Sequence, residues 1–313
     1  MTIQPETCLS HNMQPEPLDQ AVQAIRSRVR AEGDKPNATV KQQLEVVDAL
    51  LRFGLGRFLL IHRGINGYWT RYLAGSDPRY GIAAGVNDEG KPLSELERWM
   101  LGESPGAYII QERQRAAQAI LRQNMRDGMV LASVPCGAMD DLLGLDFSSH
   151  RDVRLVGIDV DPASLRLAEQ NARDRSMIDR VELIEADAWN MGITDRFDVL
   201  MSHGLSGYEP DRRRLVELYK EFRKAIKPEG TFLAYFTTPP PTADANSSWD
   251  RTRITAESLR RHELIFKHVL QPKWWPGHST EQEVTSRLRA AGFSRIEPHP
   301  DQAGICTTVM AWK

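Results

Sequence analysis

Residues 130–143, VLASVPCGAMDDLL, run an apolar stretch into a turn of small residues and then into a new apolar stripe. That order is expected where a buried strand feeds a loop and then a helix. The turn, Ser133-Val134-Pro135-Cys136-Gly137-Ala138, leaves backbone uncovered, so a ligand could approach it closely. Counted from Met129–Val134, further short apolar runs follow at Leu155–Ile158, Val181–Ile184, Phe197–Met201 and Thr231–Phe236. Helical spacing fills the intervals: Pro162 opens a helix carrying Leu165 and Ala168, and Pro210-Asp211 opens one carrying Leu215, Leu218, Phe222 and Ile226. Strands separated by helices predict a parallel sheet. A last helix, Glu281–Ala291, closes at Gly292 and is followed by two strands, Phe293–Pro298 and Ile305–Trp312, which read as a terminal hairpin.

Upstream the pattern differs. From Leu18 to Met125 apolar residues recur at helical spacing, as in Leu44, Val47, Leu50, Leu51 and Leu55, or Leu93, Leu96, Trp99 and Met100. The predicted organisation is therefore a polar flexible tail over 1–17, a helical region over 18–127 and a strand–helix domain over 128–313. The tail has neither a basic start nor an apolar core, so it does not read as a signal peptide.

Composition narrows the function classes. The 313 residues carry 40 Lys plus Arg against 42 Asp plus Glu, a net charge of -2, so no overall field favours nucleic acid or anionic lipid. The apolar runs fall short of the ~20 residues that span a bilayer, so no membrane partner is expected. Cys8, Cys136 and Cys306 are far apart and odd in number, which argues against a disulfide framework and for a cytoplasmic location. His, Asp and Glu residues show no metal-ligand spacing, and no metal is expected.

Ligands of a doubly wound sheet sit at the carboxyl ends of its strands, where the strand order reverses. Strand two ends at Asp159, in GIDVDP, where a carboxylate can accept both hydroxyls of a ribose. Asp161, directly before Pro162, reads instead as the helix N-cap. Strand three ends at Asp187-Ala188-Trp189, where a carboxylate, backbone groups and an aromatic face could meet an adenine; Trp189 is equally readable as a core residue.

In this order the segments VLASVPCGAMDDLL, LVGIDVDPASLRLAEQNA, VELIEADAWNM, FDVLMSHGLSGYEPD and AIKPEGTFLAYF resemble the class I S-adenosylmethionine (SAM)-dependent methyltransferases, over Met129 to Lys313. The resemblance implies a Rossmann-like α/β fold, a seven-stranded mostly parallel sheet with a C-terminal antiparallel hairpin, here preceded by an N-terminal helical cap. It implies SAM as cofactor, with Cys136, Gly137, Asp140, Asp159, Asp187, Ala188, Trp189 and Ser202 around it. One departure stands out: the family's first loop is typically a Gly-x-Gly-x-Gly run after an acidic residue, whereas only Gly137 is kept here. Asp140 or Asp141 would then face the methionine ammonium. Cys136 reads as a packing residue, since nothing nearby supplies a cationic setting for a thiolate.

The loop after strand four, Ser202 to Glu209, is where the resembling family places acceptor-facing residues. His203 is the candidate base and Tyr208 a pocket residue, each also readable as ordinary loop packing. Glu209, before Pro210, reads as a helix-start carboxylate. In the family, helices before the sheet commonly shape the acceptor pocket; here HRGINGYWTRYL offers His62, Asn66, Tyr68 and Tyr72 as substrate-binding candidates, against an amphipathic helix as the plain alternative. Trp249, Trp274 and Trp275 lie in an insertion that could close the site, anchor it, or form a homodimer contact.

The leading expectation is a methyltransferase acting on a small-molecule acceptor. SAM cyclisation to azetidine-2-carboxylate and methylthioadenosine, or SAM binding without catalysis, are alternatives raised by the altered first loop. A nicotinamide-dependent oxidoreductase is disfavoured by the missing Gly-x-Gly-x-x-Gly turn and by the terminal hairpin.

Overall fold

Among the described residues six helices precede the first strand, as the helical spacing predicts: α1 Leu18–Glu32, α2 Val40–Leu50, α3 Gly54–His62, α4 Gly67–Ala74, α5 Glu95–Gly102 and α6 Pro105–Asn124. They are seen in a computed structural model that describes residues 16–272 and 277–313. Cys8, most of the expected tail, Trp274 and Trp275 lie outside the described residues. From Val130 the chain alternates: β1 Val130–Ser133, α7 Asp140–Leu143, β2 Arg154–Asp159, α8 Pro162–Asp174, β3 Val181–Glu185, β4 Phe197–Ser202, α9 Arg212–Ala225 and β5 Ile226–Thr237. Then come α10 Ala256–His262, which continues as a π-helical stretch Glu263–Leu270, α11 Glu281–Ala290, β6 Arg295–Pro300 and β7 Cys306–Trp312. Among the described residues no helix is long and apolar enough to cross a membrane.

The strands form one sheet in the order β3-β2-β1-β4-β5-β7-β6. The first five run parallel, while β7 lies antiparallel between β5 and β6. This is the expected seven-stranded Rossmann-like arrangement with its terminal hairpin. The order reverses beside β1, since the chain winds outward to β2 and β3 and returns to β4 on the other side, and that reversal opens a crevice at the carboxyl ends of β1 and β4. Leu131, Leu155, Met201 and Leu233 carry the sheet's share of an apolar cluster completed by Ala117, Leu121, Leu142 and Ala168 from the helices. Asp161 caps α8 by accepting from the Ala163 and Ser164 amides, the role expected of it, and Asp211 caps α9.

The chain divides into two compact units. The helical one ends at Ile110, within α6, rather than at residue 127. It also takes in the segment from Arg251, which the sequence assigns to the sheet domain. The physical reason is apolar: Ile265, Val269 and Leu270 share one core with Ile25, Val47, Leu50 and Leu59. Arg28 of α1 fixes the join by donating to the His268 and Val269 carbonyls.

One strand residue has a role that only packing reveals. Met139 sits in the left-handed region at φ +57° with its side chain fully buried, and Gly157 in β2 makes room for it. A Cβ at Gly157 would lie 2.5 Å from Met139 Sδ and 2.8 Å from Leu183 Cδ2. A glycine in a strand interior commonly marks such a close approach. Gly157→Ala should therefore cost ~1–3 kcal/mol of stability through overpacking, read as a lowered urea midpoint with an unchanged slope; a neutral substitution would show that Met139 is free to move away.

Candidate functional site

The site begins at a hydrogen bond between β2 and the loop after β1. Buried Asp159 accepts from the Gly137 amide at 2.9 Å on one carboxylate oxygen and from the Asp161 amide at 3.0 Å on the other. Burial pushes its pKa up, and these backbone donors oppose that shift by favouring the charged form. The Cys136 amide donates to the Ile158 carbonyl at 2.9 Å and the Ala186 amide to the Asp159 carbonyl at 3.1 Å, so the ends of β1, β2 and β3 are laced together. Cys136 is buried, and burial, then the Asp159 charge, raise its thiol pKa well above the ordinary value. It is a protonated packing group lining this loop.

The two adjacent carboxylates of α7 have different surroundings. Asp140 accepts from Asn171 Nδ2 at 3.1 Å and from Arg175 at 3.3 Å, both anchored by α8. Asn171 also donates to the Ala138 carbonyl at 2.7 Å, so it props the loop from beneath. Asp141 turns to the carboxyl end of β1: Ser133 Oγ donates to it at 2.7 Å and the Leu142 amide at 2.9 Å. Burial lifts the Asp141 pKa to about 6.

At the end of β3, exposed Asp187 accepts from the Trp189 amide at 3.0 Å, and Ala188 is buried. The Trp189 indole N–H donates to the Arg214 carbonyl of α9 at 3.2 Å, and the Arg214 guanidinium lies 5.5 Å from a ring centroid. Trp189 is thus tied to α9.

Beyond β4 the structure gathers a second polar group. Ser202 is buried at the strand end. The next residue, His203, has both ring nitrogens sequestered without a hydrogen-bond partner, and its ring stacks on Tyr235 of β5 at 6.0 Å. Burial, helped by the charge of Arg113, drives its pKa down to about 3. Tyr208 is pushed up to about 12, chiefly by burial. Both rings are therefore neutral at ordinary pH, which makes His203 a weaker base than the expected role requires. Arg113 of α6 donates to the Tyr235 hydroxyl at 3.1 Å and lies over its ring at 5.1 Å. Glu209 accepts from the Asp211 amide and from Arg214 at the start of α9, as expected. The loop is held from the other side by Gly277, where a Cβ would lie 2.8 Å from Gly207 Cα.

The remaining candidates belong to the helical unit. Asn66 caps α4 by accepting from the Trp69 amide at 3.1 Å. Tyr72 is buried, donates to Glu97 at 3.3 Å, and is held well above its ordinary pKa by burial and then the Glu97 charge. His62 stacks on Phe58 at 4.1 Å, and Tyr68 stands partly exposed with an edge contact to Trp69 at 4.9 Å. Asn66 and Tyr72 thus have structural work within their own unit. Among the described residues no cluster of three or more His, Cys, Asp or Glu is placed to hold a metal ion.

Sequence reasoning passed over Arg113, Tyr235 and Asn171. Asn171 lay inside a quoted motif, but its task, filling a hydrogen-bond gap between α8 and the β1 loop, has no local spacing signal. Arg113 reads in sequence as one of several charges on an amphipathic helix.

A family model described as a methyltransferase domain matches residues 134–230. The chain is 22% identical over 201 residues to demethylmenaquinone methyltransferase of Bacillus subtilis, covering 61% of this chain and 82% of that protein. Among solved structures, a Bordetella parapertussis protein described as a possible exported protein is 36% identical, with 95% of each chain covered and a TM-score of 0.85. The S-adenosylmethionine-dependent methyltransferase SibL shares the fold at 15% identity and a TM-score of 0.52, over 95% of this chain and 74% of its own.

The burial of His203 has a measurable sign. Its folded pKa of about 3 lies below the unfolded value, so the group contributes stability that is complete above about pH 6.5 and lost as pH falls toward 3. Ring resonances of His203, followed by NMR, should stay those of the neutral form from about pH 8 to about pH 5, where an ordinary histidine titrates; a midpoint inside that range would mean the ring is hydrated or partnered.

Proposed function

We propose that the chain is a class I S-adenosylmethionine-dependent methyltransferase that methylates a small-molecule acceptor at the carboxyl edge of its sheet, a reading supported by the methyltransferase-domain match over residues 134–230 and by the seven-stranded sheet. Its cofactor supplies a methyl group on a positively charged sulfur, which a nucleophile takes in one in-line displacement while the electron pair of the broken C–S bond passes to sulfur. The protein's part is to bind and align, and alignment alone can lower the barrier by ~7 kcal/mol or more.

The observation that carries this reading is the Asp159 carboxylate fixed by the Gly137 amide. An ionised carboxylate offers about four acceptor positions, and the Gly137 and Asp161 amides occupy one on each oxygen. Capacity remains for the ribose hydroxyls, so the group fits. Asp187 and the Ala188 backbone would meet the adenine. Asp141 rather than Asp140 would take the methionine ammonium, because Asp140 is already engaged by Asn171 and Arg175. Ser133, standing at the end of β1, keeps Asp141 aimed by its 2.7 Å hydrogen bond. That pair replaces the acidic residue that the family's first loop carries.

On the acceptor side, His203 and Tyr208 would position the substrate by hydrogen bonds from uncharged rings, with His203 accepting or donating according to its tautomer. A small molecule is favoured over a polymer by the chain's near-neutral balance of 40 basic and 42 acidic residues. A cytoplasmic location goes with this reading, supported by the buried free thiols of Cys136 and Cys306.

Calorimetry with S-adenosylhomocysteine tests the cofactor side. Asp159→Ala should weaken binding by ~10-fold or more, about 1.4 kcal/mol, and unchanged affinity would remove the ribose assignment. Because Asp141 binds a cation only when ionised, wild-type affinity should fall as pH drops below about 6, and Asp141→Asn should flatten that dependence. Product analysis tests the reaction: S-adenosylhomocysteine formed only with an acceptor supports methyl transfer, whereas methylthioadenosine formed without one would make the chain a cyclase.

A further inference from the structure

Donor binding uses the ends of β1, β2 and β3 and leaves unexplained the polar group at the ends of β4 and β5. Ser202 pairs in parallel register with Ala234, so His203, just past the end of β4, comes beside Tyr235 of β5 with their rings stacked. The Arg113 guanidinium lies over the Tyr235 ring, hydrogen-bonded to its hydroxyl, and 3.1 Å from where a Cβ at Gly204, the residue after His203, would stand; its charge is felt at the His203 ring. A guanidinium has five N–H donors, far more than one phenol accepts. Among the described residues Arg113 has no carboxylate within ion-pair distance; Asp141, whose charge it feels, accepts from Ser133 and Leu142 and not from the guanidinium. Beside it are the two buried, unpartnered nitrogens of His203. A half-buried guanidinium with donors to spare beside a sequestered imidazole without a partner leaves hydrogen-bonding capacity unused. A negatively charged oxygen would use both.

The geometry points to an acceptor pocket selective for an oxyanion, in which Arg113, His203 and the Tyr235 hydroxyl receive a molecule bearing an acidic oxygen of phenol, enol or carboxylic acid chemistry in its ionised form. This inference rests on the methyltransferase reading above and names its acceptor class. The guanidinium suits the task because it stays charged at all working pH values and presents a planar fork of donors. It favours the deprotonated acceptor by direct attraction. No strong protein base is then required, which accords with an imidazole kept neutral beside it. The neutral ring donates its one N–H to the same oxygen.

The probes are 4-nitrophenol, whose anion absorbs visible light, and benzoate, with uncharged benzyl alcohol as control. They are titrated into protein saturated with S-adenosylhomocysteine. The expected result is that 4-nitrophenol binds as its anion, with its midpoint lowered by about one unit or more, and that benzoate but not benzyl alcohol competes for the site. Arg113→Met should weaken both anions ~10-fold or more and abolish the shift. Arg113→Lys should keep part of each, and Tyr235→Phe should show a smaller loss. S-adenosylhomocysteine affinity should hold in all three variants. Failure of both anions to bind the loaded protein, binding with an unshifted midpoint, or equal binding by Arg113→Met would each overturn the proposal. So would loss of S-adenosylhomocysteine affinity in Arg113→Met, which would put the guanidinium on the cofactor. If wild-type protein does not bind S-adenosylhomocysteine at all, it is the methyltransferase reading that fails, and the inference falls with it.

Discussion

The hydrogen bond from the Gly137 amide to the Asp159 carboxylate is the constraint on which the site depends. A loop reduced to one glycine cannot cradle a ligand by backbone alone, and a carboxylate at a strand end cannot stay buried without donors. Each supplies what the other lacks. Around that bond, the Cys136 amide on Ile158 and the Ala186 amide on Asp159 leave three strand ends with almost no independent freedom. Asn171 then props the Ala138 carbonyl from α8, and Met139 fills the space beneath, at the expense of any side chain at position 157.

Charge is partitioned across the strand-order reversal. On the β1 side lies Asp141, an acid whose burial keeps it near the edge of ionisation. On the β4–β5 side lies Arg113, stacked on Tyr235. The two feel each other without forming an ion pair, so the crevice has a negative wall and a positive wall. A zwitterionic amino acid tail and an anionic partner would be sorted to opposite sides by that field alone.

The fold was largely legible because its signals are local and repeated. The first five strands and β7 coincide with apolar runs, whereas β6, Arg295–Pro300, is largely polar and lies two residues beyond the expected Phe293–Pro298; the caps Asp161 and Asp211 stand where Pro162 and Pro210 suggest. What could not be read was the company each residue keeps. The segment from Arg251 looks like part of the sheet domain by its place in the chain, yet Ile265 and Val269 find their core among α1, α2 and α3. Asp140 and Asp141 are indistinguishable in sequence; only the positions of Arg175 and Ser133 separate them. Asn66 reads in sequence as a binding candidate, and its capping of α4 was not legible, because an amide side chain that accepts one backbone bond leaves no trace of that commitment in the chain. Arg113 is the clearest case, since a helix charge becomes notable only once Tyr235 and His203 are seen beside it.

The approach of Gly277 to Gly207 carries an evolutionary corollary. Two backbones seventy positions apart in the chain touch where a methyl group at 277 would strike Gly207, although one at 207 would meet open space, so drift at 277 is barred unless the loop retreats. Lineages that reshape this loop should therefore keep glycine at 277.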